Sequence, residues 1–260
     1  MRKYLRAAQT SLTNALTYKS NLISRFAFYA LFITIFFNLW RFIYQDGEVA
    51  GFTLERIVWY LCFSELIVFS ARAQALGGIS EDIKTGAIAY QLGRPYDFTL
   101  YHFAASAGEM ALNFVCFGAL AVVMGLLTAG PIGGYDWLGV PFGLLSAMLG
   151  IGLNYFLYLC ATLSALWIED SFGVTLILQK LIFLMGVFMP VEFLPGWLQS
   201  IARLLPFSYI AWAPSKLFVD FSWDLLIQTL PVQMVWLGVF FMLSRFIFTR
   251  GMKALEAHGG

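Results

Sequence analysis

Charge is what this sequence has least of. Only 12% of its 260 residues are Asp, Glu, Lys or Arg, against about 25% in soluble globular domains. That leaves too little polar surface to solvate a folded body in water, so part of its solvent is lipid. The net charge is +1 and no basic tract occurs, which argues against a nucleic-acid partner. Cysteine is also scarce. Cys62, Cys116 and Cys160 each lie inside an apolar run, so they read as small buried hydrophobes rather than a disulfide framework. The two histidines, His102 and His258, are too few and too distant for a metal cluster. No G-x-x-x-x-G-K-[ST] loop cradles a phosphate, and no H-E-x-x-H or G-x-S-x-G stretch offers hydrolytic chemistry. We therefore expect no catalytic residue, no metal and no cofactor held by this chain, which is not expected to be an enzyme. No small-residue cleavage site follows the first apolar run, so no cleavable signal peptide is expected.

What is present is apolar: 60% of residues are hydrophobic, and the mean hydropathy is +0.76. A spanning helix needs about 20 mainly apolar residues. Segments 26–44, 57–76, 103–129, 137–168, 172–189 and 225–248 meet that need. The expected fold is all-α, a polytopic membrane protein with six transmembrane helices in a single domain over residues 1–260. The fourth segment exceeds one bilayer thickness and must tilt, kink or project. Turn-rich "AGPIGGYDW" and the short "EDS" make the third, fourth and fifth helices antiparallel. With the N-terminus inside, only Arg41, Arg56, Arg203 and Lys216 of the 16 basic residues fall outside. By the positive-inside rule both termini, and the loop 77–101, are cytoplasmic.

Three polar segments interrupt the apolar runs. In residues 1–25, Leu5, Ala8, Leu12, Leu16 and Ile23 recur at helical spacing, which reads as an amphipathic helix in the inner interface or as a polar tail. In "GGISEDIKTGAIAYQLGRPYDF", Ile79, Ile83, Ala87 and Tyr90 form an apolar ridge with Glu81, Asp82 and Lys84 on other faces. Arg94-Pro95 ends that short helix. Its surface suits docking into a groove on a soluble partner; a solvated loop is the equal alternative. Around residues 190–210, Pro190, Pro195 and Pro206 break helix repeatedly, and Trp197, Leu198, Ile201 and Leu204 make an apolar face. This reads as an outer re-entrant hairpin with Trp197, Tyr209 and Trp212 at the head-group belt. Broken backbone at that depth requires cover by protein or water.

"EDIKTGAIAYQLGRP" after the second apolar segment and "MPVEFLPGWLQSIARLLPFSY" after the fifth resemble the membrane subunit of type-2 ATP-binding-cassette exporters. The tail "FTRGMKALEAHGG" is similar to the viologen or multidrug-type branch of those permeases. The resemblance implies a permease that moves amphiphilic or hydrophobic substrates, such as drug-like molecules or lipids, out of the cytoplasm. It implies a bacterial inner-membrane location and a cytosolic ATPase partner carrying ATP and Mg. It also implies a second permease half, identical or related. By the same resemblance Glu81, Asp82, Ile83, Lys84 and Arg94 form the surface that couples to the ATPase. Glu192, Pro195, Trp197 and Leu198 then belong to the outer gate.

Ionisable and amide groups inside the apolar segments are candidate pathway residues: Asn38, Glu65, Gln179 and Lys180. Glu65 lies ~16 Å and Lys180 ~12 Å from the cytoplasmic ends of their helices at 1.5 Å per residue. The two are close enough in depth to pair, either as part of a substrate path or as a static brace. Two readings from other classes remain: a proton-coupled secondary transporter using Glu65 and Glu109, and a membrane assembly protein without transport. Repeat symmetry, common in secondary transporters, is absent from this sequence.

Overall fold

The computed structural model describes residues 2–17, 19–44, 51–71, 75–91, 96–168 and 170–259. Arg94 lies outside the described residues. All regular elements among them are helical. The first half comprises α1 (Arg2–Thr17), α2 (Lys19–Ile43), α3 (Leu54–Ser70), α4 (Ala75–Lys84) and α5 (Phe98–Thr128). The second comprises α6 (Gly139–Leu163), α7 (Ala165–Ile168), α8 (Phe172–Ile182), α9 (Gly196–Leu204), α10 (Pro206–Val219) and α11 (Trp223–Gly259). Helix starts follow local chemistry. The Thr53 hydroxyl accepts the Arg56 N–H at the head of α3, and Asp97 accepts the Leu100 N–H at the head of α5, 2.9 Å away. Pro206 stands in the first turn of α10, where its missing N–H leaves no bond unmade.

Four stretches are long and apolar enough to cross a membrane: Ile23–Ile43, Phe98–Thr128, Gly139–Ile168 and Trp223–Lys253. The other two expected spans come out shorter. α3 has 17 residues, ~26 Å of helix against a ~30 Å hydrocarbon core. The fifth apolar run is helical only over Phe172–Val187, because α8 gives way to a π turn at Phe183–Val187. Burial divides the spans. The α6 stretch is 72% buried, whereas the α2 and α11 stretches are 17% buried. α6 is therefore the axis of the bundle, and α2 and α11 present most of their apolar side chains outward.

Close contact along that axis rests on glycine. Gly139, Gly143 and Gly150 put one face of α6 against α10, with a Cβ at Gly139 only 2.8 Å from the Leu217 carbonyl oxygen. A Cβ at Gly150 would overlap the carbonyl oxygen of Ile210. That carbonyl lies four residues before Pro214, which sits inside α10 and has no N–H to offer it. Small residues at such spacing let helix backbones approach, the commonest device for packing helices in lipid. Gln233 of α11 locks the third helix in place. Its Nε2 donates to the Tyr209 carbonyl at 2.8 Å and the Ser146 carbonyl at 3.2 Å, and its Oε1 accepts from the Ser146 hydroxyl at 2.7 Å.

α1 crosses α5 at Gly108, where a Cβ would overlap the Ala8 carbonyl and stand 2.7 Å from the Leu12 nitrogen. Ser11 Oγ accepts the Glu109 backbone N–H at 3.2 Å. Small residues of α1 face α5, while Leu5, Leu12 and Leu16 remain exposed; Ile23, expected on the same helix, stands on α2. Gly150→Val should force α6 and α10 apart and lower stability by about 1–3 kcal/mol or more. Gly238→Ala, where an added Cβ meets nothing within 4 Å, should change it by less than about 0.5 kcal/mol. Thermal unfolding in detergent, followed by tryptophan fluorescence, compares the two.

Candidate functional site: a cavity between two polar ends

A cavity of 790 Å³ opens between α2, α3, α6 and α8, within the size range of drug-sized binding sites. It runs along three helices at once, from Glu65 to Ala71 on α3, from Asn154 to Thr162 on α6 and from Val187 to Thr175 on α8. Aromatic rings of Phe28, Phe32, Tyr158, Phe172 and Phe183 supply much of its wall. Glu65, Gln179 and Lys180 all line it, so three of the four pathway candidates share one site. Glu65 is buried, 5% exposed, and Lys180 is exposed. Asn38 is elsewhere. It sits exposed on α2 with its Nδ2 returned to the Thr34 carbonyl at 2.8 Å, so its polarity is absorbed by its own helix. Sequence reasoning passed over Asn154 as one more polar group in lipid. It is 1% exposed and its Oδ1 has no donor among the described residues.

One end of the cavity meets α4. Leu76, Gly77, Ser80, Glu81 and Lys84 line it there, facing Asp170 and Ser171 across the opening. Of the expected apolar ridge, Ile79 and Ile83 are turned inward, whereas Tyr90 is 82% exposed. Ile79 and Ile88 are fully buried and Ile83 packs against the same cluster, with Phe98, Met110 and Met252. The expected continuous helix is also broken: α4 ends at Lys84, Gly86 takes φ +73°, and Ala87–Gln91 forms a 3-10 turn. Glycine adopts such a φ at no steric cost, and the reversal folds Ile88 back onto the bundle. What α4 and its turn leave outward is Glu81, Lys84 and Tyr90. Asp82 is half-buried and accepts the Gln91 side-chain N–H at 2.9 Å, and Gln91 Oε1 meets His102 Nε2 at 2.8 Å. This chain of bonds ties the α4 turn to α5.

The far end of the cavity meets the π turn, with Phe183 and Val187 in its wall, and the hairpin follows in the chain. Tyr60 OH donates to the Gly186 carbonyl at 2.7 Å, satisfying backbone that the π turn leaves open. Residues 190–210 then fold as a short 3-10 turn at Val191–Phe193, α9, and the start of α10. Pro195 heads α9, Leu198 packs on the core, and Trp197 is exposed. Gln199 Nε2 donates to the Glu192 and Leu194 carbonyls at 3.1 and 2.8 Å, closing the hairpin on itself. Two of the three aromatics expected at the head groups are instead in the core: Tyr209 is 5% and Trp212 4% exposed. Their polar tips are spent inside the protein, Tyr209 OH on the Arg203 carbonyl at 2.7 Å and Trp212 Nε1 on Glu192 Oε2 at 3.1 Å. Lys216 completes the group with an ion pair to Glu192 Oε1.

A family model described as ABC-2 family transporter protein matches residues 28–259, and the chain belongs to that family. It is an integral membrane protein and the permease subunit of an ATP-binding-cassette transporter, and this family membership implies a cassette ATPase as partner. No curated protein matches the chain.

Two ion pairs away from the cavity differ in strength. The Glu192–Lys216 side chains are about one-fifth exposed or less, and removing one partner of a buried pair costs about 3–5 kcal/mol. Arg56–Asp220 is a looser pair, 31% and 44% exposed at 3.2 Å, where about 0–1 kcal/mol is usual. Lys216→Met should therefore lower the unfolding temperature in detergent far more than Arg56→Met. The Phe172 backbone N–H, and after it Lys84, hold the Asp170 carboxyl below the ordinary aspartate range. Its folded pKa is depressed, so the stability it contributes is present above the unfolded value and fades as pH falls through the folded one. Asp170→Asn should thus shift stability equally at every pH from 6 to 8 and converge with the parent only in strong acid, measured as unfolding temperature against pH.

Proposed function

We propose that this chain is one half of an exporter pore that moves amphiphilic or hydrophobic molecules out of a bacterial cytoplasm. The observation that supports this reading is the cavity, which runs along α3, α6 and α8 from α4 at one end to the π turn at the other. Its aromatic walls suit an apolar body, and Glu65, Gln179 and Lys180 suit polar parts of the same molecule. The reading takes six crossings: α2, α3, α5, α6 with α7, α8 with its π turn, and α11. The shorter α3 and α8 are completed by neighbouring protein and by the re-entrant segment 190–210. Both termini, α4 and the loop at Asp170 then lie in the cytoplasm. A second permease half, identical or related, covers the outward apolar faces and completes the pathway. The chain itself hydrolyses nothing. ATP and Mg reside on the partner ATPase, whose closure is transmitted through α4.

In this reading Glu81, Lys84 and Tyr90 carry the docking surface, with Asp82 and Ile83 supporting it from behind. Glu192, with Pro195, Trp197 and Leu198 around it, holds the outer gate. A ligand or partner moves such a gate only by binding one state better than the other.

The test is purification of the tagged permease from native membranes in mild detergent, with ATP hydrolysis assayed on whatever copurifies. A cassette ATPase should accompany the parent and be lost, wholly or mostly, from Glu81→Lys/Tyr90→Ala, whose exposed side chains can be replaced without disturbing the core. Failure of any ATPase to copurify with the parent would remove the motor from the scheme. For the cavity, Glu65→Gln, Lys180→Met and the double variant should each depress substrate-stimulated hydrolysis. A double-variant loss smaller than the sum identifies interacting residues, and strict additivity excludes a working pair.

A further inference from the structure

Lys84 and Asp170 bridge the α4 end of the cavity with an ion pair that coupling alone does not require. Lys84 is the last residue of α4, and its Nζ lies 3.4 Å from Asp170 Oδ1; both side chains line the cavity. The two stand on different supports. Asp170 is fixed to the head of α8, where its Oδ1 accepts the Phe172 N–H at 2.9 Å and its own N–H bonds the Ile168 carbonyl at 2.7 Å. Lys84 instead rides on α4, immediately before the Gly86 turn, and α4 is seated by Ile79 and by the Asp82–Gln91–His102 bonds. A displacement of α4 therefore separates the pair while Asp170 stays with α8.

We propose that Lys84 and Asp170 form a latch on the cavity, closed while the pair is intact and opened when α4 is displaced, so that the coupling helix controls entry of substrate. This rests on the reading of α4 as the coupling helix. The weakness of the pair is what fits it to the task. At 42% and 59% exposure it biases an equilibrium by about two- to fivefold, which partner binding easily overrides. A buried pair would hold too tightly to cycle.

The test measures access to the cavity without the ATPase. Val68, half-buried in the α3 wall, is replaced by cysteine in a Cys116→Ser background; the remaining Cys62 and Cys160 are buried. The purified permease in nanodiscs is treated with a charged methanethiosulfonate, and the rate of modification at position 68 is followed by mass spectrometry. Lys84→Gln and Asp170→Asn should each raise that rate about two- to fivefold, as should high salt on the parent. Asp170→Asn keeps an oxygen for the Phe172 N–H, so it separates the lost charge from a lost helix cap. Lys84→Asp with Asp170→Lys should return the rate towards the parent value. Equal rates in all variants would overturn the latch. So would an increase confined to Asp170→Ala, which would trace the effect to the cap. Because no ATPase is present, this outcome is independent of copurification, where failure would count against the coupling helix itself.

Discussion

The bundle depends on the contact of α6 with α10. Two backbones meet there at a distance that any side chain on Gly139 or Gly150 would prevent, and Gly143 makes room for the Phe218 ring. In lipid no water rescues an open carbonyl, and Pro214 leaves the Ile210 carbonyl without its helical donor. The Gly150 backbone covers that oxygen, and Gln233 ties the neighbouring Tyr209 carbonyl to α11. With α10 held so, its other side receives α3, and Trp212 and Lys216 are carried to Glu192. The hairpin is thus positioned by a contact deep in the membrane rather than by anything on its own surface.

Burial grades the polar groups along the bundle. At the hairpin end Glu192 holds two donors and is mostly enclosed. At the α4 end Lys84 and Asp170 stand half in solvent. Arg25 shows how the end of α3 receives a cation. Its guanidinium donates to the Phe69 carbonyl at 2.6 Å near the end of α3 and to Asn113 Oδ1 at 3.4 Å, and it lies 5.2 Å from the Phe117 ring centroid. A positive charge at a helix C-terminus is favourably placed, so a residue that only sets orientation in the sequence also terminates a short helix in the structure.

Much of this was legible from residue types. Apolar runs reveal the long helices, Gly and Pro the breaks, and the two polar motifs the family. Glu65 and Lys180 share the cavity, as their similar depths along two spans allowed. Depth says nothing of azimuth: Asn38, another pathway candidate, returns its amide to its own helix and does not line the cavity. The ridge of Ile79 and Ile83 was visible, but an amphipathic pattern does not say whether the apolar face meets a partner or its own bundle, and the break at Gly86 turns Ile88 rather than Tyr90 inward. Tyr209 and Trp212 misled because an amphipathic aromatic suits both a head-group belt and a core with a hydrogen-bond acceptor. Spacing alone already held the Gly139–Gly143–Gly150 series as a packing signal. The Glu192–Lys216 pair, 24 residues apart, had none.

The π turn at Phe183–Val187 has one further consequence. A π turn carries one residue more than an α turn, so side chains beyond it are displaced by one position, about 100° around the axis. A helical wheel drawn from Phe172 therefore assigns Met185, Phe188 and Met189 to the wrong faces. Alignments that treat residues 172–189 as one uniform helix will pair the residues past Phe183 with neighbours they do not touch, and the error propagates into the hairpin that begins at Pro190.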